Sequence, residues 1–77
     1  MTETELQKAR ELIGLTQSQL DRAAGLPVGS VHEIESGRIK SPSWVNVSKI
    51  VRALREAGLK GASAETIFPI PDRKASA

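Results

Sequence analysis

Cysteine is missing from the 77 residues altogether, and histidine occurs once, at position 32. Without thiolates there is neither a disulfide framework nor a sulfur-ligated metal, and His32 alone cannot build a zinc site. The fold must stand on packing, with no metal or other cofactor expected. Also absent is any apolar run near the roughly 20 residues that a membrane-spanning helix needs. The first ten residues, MTETELQKAR, are acidic and polar where a secretory leader is basic and then apolar. These absences predict an untargeted cytoplasmic protein with no membrane partner. No internal repeat, strand-like alternation or phosphate-cradling glycine loop occurs. An enzyme is not expected either: His32 and Glu33 are adjacent, and neighbours on a helix point about 100° apart, so they do not converge as general acid and base must.

What is present is a short, charge-graded chain that fits one domain with one core. Residues 1–35 set Lys8, Arg10 and Arg22 against Glu3, Glu5, Glu11, Asp21, Glu33 and Glu35, a balance of −3. Residues 36–60 set Arg38, Lys40, Lys49, Arg52, Arg55 and Lys60 against Glu56 alone, a balance of +5. One part of the surface is thus basic, which suits an anionic partner such as nucleic acid.

Helical periodicity runs to residue 68. Leu6, Ala9 and Ile13 give a first helix over residues 4–13, closed by Gly14. The second helix has the strongest start signal: Thr16 as N-cap, Gln19 completing a capping box, and Leu15 with Leu20 as a hydrophobic staple. Its inward residues are Leu20, Ala23 and Ala24. Gly25 then ends it, because the chain must turn left-handed there at a cost of roughly 1 kcal/mol or more to a residue with a side chain. After this tight bend Pro27 suits the first turn of a third helix over residues 27–36, with Val31 and Ile34 inward and Gly37 at its end. The remaining positions, Val28, Gly29, Ser30, His32, Glu33 and Ser36, are exposed and mostly poor helix formers, so propensity did not select them. Ser41, Pro42 and Ser43 announce a fourth helix whose wide apolar face is Trp44, Val47, Ile50, Val51 and Leu54, ended by Gly58. Ser63 caps a last short helix with Ile67 and Phe68. Residues 69–77, PIPDRKASA, have no periodicity and read as a loosely ordered tail.

The run TQSQLDRAAGLPVGSVHEIESG, together with Leu12, Gly14, Leu15, Pro42 and the segment from Lys49 and Ile50 to Leu54, resembles the lambda-repressor and Cro-like (Xre-type) helix-turn-helix family of bacterial and phage transcription regulators. The resemblance covers about residues 4–68 and joins caps, core and turn at fixed offsets. It implies a compact all-α, five-helix DNA-binding domain over residues 1–68, in which helices two and three form the helix-turn-helix. In that family the third helix enters the major groove and the second crosses the backbone.

On this resemblance Gln17, at a helix N-terminus whose free amides favour an anion, binds a phosphate. Arg38 and Lys40, just past the third helix, supply attraction to the backbone without reading sequence, and Ser43 is a further candidate for that task. Base reading falls to Val28, Gly29, His32 and Glu33, with Ser30 shared between phosphate and base. A valine can touch a thymine methyl, Glu33 can accept from cytosine N4, and His32 can donate to a purine acceptor. Val28 and Gly29 depart from the family pattern, where hydrogen-bonding side chains often stand, so the code is thin. The resemblance also implies an ion pair between Arg10 and Glu35 that joins the first and third helices. Trp44 is read as a core or semi-exposed packing residue in preference to a base-stacking one.

The expected function is a sequence-specific regulator of double-stranded DNA, a repressor acting as a homodimer on a palindromic operator and joined through residues 59–70. The alternative keeps the fold and changes the partner: an antitoxin-like module that engages a protein, a toxin or the transcription machinery, with a degenerate recognition helix.

Overall fold

The computed structural model describes residues 4–39 and 42–68. Five helices follow in order, α1 (Glu5–Leu12), α2 (Gln17–Ala24), α3 (Ser30–Glu35), α4 (Trp44–Glu56) and α5 (Ala64–Ile67), and no strand occurs among the described residues. The expected all-α, five-helix architecture is the one found.

Local chemistry accounts for the boundaries. Thr4 Oγ1 accepts the Gln7 amide at 3.0 Å and starts α1. At α2 the capping box is complete: Thr16 Oγ1 accepts the Gln19 amide at 3.1 Å and Gln19 Oε1 accepts the Thr16 amide at 2.9 Å. Gly25 is left-handed with φ 72°, and the bonds from its own amide to the Arg22 carbonyl and from the Leu26 amide to the Asp21 carbonyl form a Schellman end. α3 begins at Ser30, three residues later than Pro27 suggested. The proline sits in the preceding turn instead, where its carbonyl accepts both the amide and the hydroxyl of Ser30, at 3.2 and 2.8 Å. Ser43 and Ser63 cap α4 and α5 through their hydroxyls, and Ser63 forms a second capping box with Thr66.

The core is built from Leu6, Leu20, Val31, Ile50 and Leu54, all at 1% exposure or less, with Ala24, Leu26, Val47, Val51 and Ile67 around them. Burying each large aliphatic side chain contributes about 1.5 to 3 kcal/mol, enough to hold helices too short to persist alone. α4 forms the floor: α2 packs across it, α3 packs on α2, and α5 packs between α1 and α4.

Three expectations are corrected. Ala23 faces solvent, and Asp21 takes the buried place beside Leu20 and Ala24. The two residues flank the same stripe at helical spacing, and hydrogen bonds described below decide in favour of the carboxylate. Trp44 is 70% exposed although it falls on the apolar period of α4. The buried residues of α4 are Val47, Ile50, Val51, Ala53 and Leu54, and Trp44 stands at the margin of their arc, where it borders a shallow surface groove with Ser48, Val51, Arg52, Arg55 and Ala64. Ile67, which falls in the segment expected to join two copies, is buried in its own core, and Phe68 packs partly against it. The tail at residues 69–77, including Ile70, lies outside the described residues.

Candidate nucleic-acid interface

The bend between α2 and α3 holds the two helices in a fixed relation through buried carboxylates at both ends of α3. At its start, Asp21 from the middle of α2 accepts the Gly29 amide on Oδ2 and the Val31 amide on Oδ1, each at 2.8 Å. Asp21 is 1% exposed. Burial of a carboxylate is costly unless its lone pairs are met, and here each oxygen accepts a backbone N–H. α3 has no side-chain cap of its own, since Gly29 occupies the N-cap position at φ 98°. Asp21 therefore does from a neighbouring helix what a local serine or aspartate does elsewhere.

At the other end, Glu35 closes α3 and its carboxylate meets three donors. Arg10 Nε lies 2.8 Å from Oε2 and Arg10 Nη2 lies 3.1 Å from Oε1, a bidentate pair, and Gln17 Nε2 donates to Oε1 at 2.9 Å. Arg10 Nη1 also donates to the Leu15 carbonyl at 2.8 Å. The guanidinium thus ties α1, the α1–α2 connection and α3 together. The start of α2 lies against the end of α3, while the middle of α2 lies against its start, so the two helices cross in opposite sense.

Between these anchors, Val31 is buried and Ile34 packs on the core, which turns His32 outward and leaves Glu33 half-exposed. Val28 stands in the turn just before α3 and is 87% exposed. Gly29 directs its amide inward to Asp21, and its left-handed backbone is one that a residue with a Cβ enters only under strain. The Ser30 hydroxyl donates to the Pro27 carbonyl, which leaves its oxygen lone pairs for an outside donor.

The candidate backbone contacts flank this helix. Gln17 is half-buried and uses one amide hydrogen on Glu35, so the second remains for another acceptor. Arg38 is exposed in the bend that follows α3 and forms no ion pair among the described residues. The hydroxyl of Ser43 is exposed and accepts the Asn46 amide at 3.3 Å. Lys40 lies outside the described residues. Gln17 and Arg38 fall at the Glu35 end of α3, whereas Val28, Gly29 and Ser30 fall at the Asp21 end.

A scan against protein families matches the helix-turn-helix family over residues 6–68. The chain belongs to the lambda-repressor-like (Xre-type) helix-turn-helix family. Its members are DNA-binding regulators. No curated protein and no solved structure gives a significant match. In this helix-turn-helix, α2 and α3 are the paired helices and the Schellman end at Gly25 is the turn. Among the described residues no helix is long and apolar enough to cross a membrane, and no group of three His, Cys, Asp or Glu side chains could hold a metal ion.

Asp21 is the residue of the candidate interface that the sequence alone did not single out. Its signal was indirect: a third helix with no Ser, Thr, Asp or Asn where its cap belongs, and an acidic residue beside the inward Leu20.

Proposed function

We propose that this chain is a sequence-specific repressor that binds a palindromic operator as a homodimer, in the cytoplasm. The observation that carries the reading is α3 itself: a two-turn helix anchored at both ends by buried carboxylates, while Val28, His32 and part of Glu33 remain open to solvent. A helix so short gains little from propensity, and rigid anchoring suits the insertion of a preset surface into a major groove. Gln17 and Arg38 at one end, with Lys40 and Ser43 beyond, take the phosphates, and Val28, Ser30, His32 and Glu33 meet the base edges, while Gly29, its amide held by Asp21, allows close approach without reading a base. With so few hydrogen-bonding groups one α3 reads only a few base pairs, so a second copy on a half-site about 34 Å away supplies the rest of the specificity. The contact between copies falls in residues 59–70, with Leu59, Ala64 and Phe68 its partly exposed apolar members.

Selection of bound duplexes from a random pool, followed by a salt titration on the winner, tests this. Repressor-like recognition yields an inverted repeat and a steep fall of affinity with salt. A second reading, a module that engages a protein partner, is favoured by the exposed apolar Val28 and by the inward amide of Gly29. It predicts a shallow salt slope and no enriched sequence.

A further inference from the structure

We infer that Asp21 is the residue that sets the pose, and so the specificity, of the recognition helix. Its carboxylate accepts the amides of Gly29, the N-cap of α3, and of Val31 in the first turn, both at 2.8 Å, and its own carbonyl accepts the Leu26 amide at 2.8 Å. One residue of α2 thus holds the turn after α2, the N-cap glycine and the first turn of α3. No side chain within α3 duplicates this hold, because the N-cap is Gly29 and the Ser30 hydroxyl is engaged with Pro27. The Glu35 anchor fixes only the far end. Loss of the Asp21 carboxylate therefore leaves α3 attached but free to pivot about Glu35, displacing Val28 and Ser30 most.

A second consequence is electrostatic. The free amides at a helix start attract phosphate, but here an internal carboxylate has already taken the Gly29 and Val31 amides. Backbone attraction is left to Gln17, Arg38, Lys40 and Ser43, and the side chains of Gln17, Arg38 and Ser43 share no hydrogen bond with the Asp21 carboxylate among the described residues. Asp21 thereby separates the two kinds of contact: its removal degrades base reading and spares phosphate binding. This inference rests on the DNA-binding reading above and deepens it.

The test compares wild type, Asp21→Ala, the near-isosteric Asp21→Asn and a core control, Val51→Ala, each studied where urea melts show it fully folded. Affinity is measured for the duplex that wild type selects and for an unrelated duplex, across salt. We expect both Asp21 variants to bind the selected duplex at least tenfold more weakly, about 1.4 kcal/mol. Their affinity for the unrelated duplex should fall less than threefold, with the same salt slope, and Val51→Ala should keep the wild-type ratio. Equal losses on the two duplexes, or an unchanged ratio in Asp21→Asn, overturn the inference. Amide hydrogen exchange gives an independent reading in wild type and Asp21→Asn, even if Asp21→Ala does not fold. The Gly29 and Val31 amides should exchange slowly in wild type and lose that protection in the variant, and fast exchange in wild type overturns the clamp. Should wild type bind no duplex, the DNA reading fails on its own while exchange still judges the clamp.

Discussion

Arg10 and Glu35, 25 positions apart, meet as a bidentate ion pair with 11% and 5% of their side chains exposed. Such a pair contributes little net stability when both partners are present, because two charges have been withdrawn from water. Removing one partner is another matter. Arg10→Met strands the Glu35 carboxylate with only Gln17 as a side-chain donor and should destabilise the domain by about 3 kcal/mol. The double change Arg10→Met with Glu35→Leu should cost much less, since apolar groups of similar reach then fill the site. Urea melts of wild type, both single variants and the double decide it, and strictly additive effects would show that the pair does not act as a unit.

Gln17 links this structural pair to the proposed backbone contacts. Gln17→Ala removes a hydrogen bond to a carboxylate and should lower stability by about 1.5 kcal/mol. It should also weaken binding to the selected and to an unrelated duplex by similar factors, because a phosphate contact carries little sequence information. Arg38→Ala is the contrasting case. Its exposed side chain holds no ion pair among the described residues, so melting should barely move while the salt slope falls by about 1. Lys40→Ala should behave like Arg38→Ala. Binding curves over a salt series, with thermal melts beside them, check all three variants, and a Gln17→Ala loss confined to the selected duplex would reassign Gln17 to base reading.

The contrast between these residues and Asp21 explains what the sequence made legible. Caps are local: Thr16 with Gln19 spells out its own geometry within four positions, and the structure reproduces it. The Arg10–Glu35 pair spans the chain and was visible only through family resemblance, since neither residue announces its partner. Asp21 was not visible by either route. An acidic residue inside a helix reads as a solvent-facing charge, and its partners are backbone amides, which every residue but proline possesses. Trp44 is exposed for a geometric reason, because periodicity assigns a face but does not say how far round the helix the neighbouring elements cover it. The start of α3 was misplaced for a related one: Pro27 suits a first helical turn and an approaching turn equally well.

Trp44 also supplies a spectroscopic check on the fold, being the sole tryptophan. At 70% exposure its ring lies mostly in water, so its emission should resemble that of free tryptophan and shift little on unfolding in urea. Acrylamide should quench it nearly as well in the native state as in the unfolded one. A blue-shifted, protected emission that reddens on unfolding would place the ring in a contact the isolated domain does not show, a self-association that dilution would then reverse.

Val28 offers the sharpest separation between base reading and protein docking. It is the most exposed large apolar side chain among the described residues, at 87%, and it stands at the entry to α3. If it lies against a thymine methyl, replacing that thymine with uracil in the selected duplex removes one buried carbon, worth about 0.8 kcal/mol or roughly fourfold in affinity. The same replacement should cost Val28→Ala almost nothing, because the variant no longer reaches the methyl. Uracil scanned through each thymine of the selected duplex, against both proteins, gives the coupling directly. A position where wild type loses affinity and Val28→Ala does not identifies the base that Val28 reads. Equal responses of the two proteins at every thymine would remove Val28 from the readout and leave its exposed isopropyl group for the protein-partner reading.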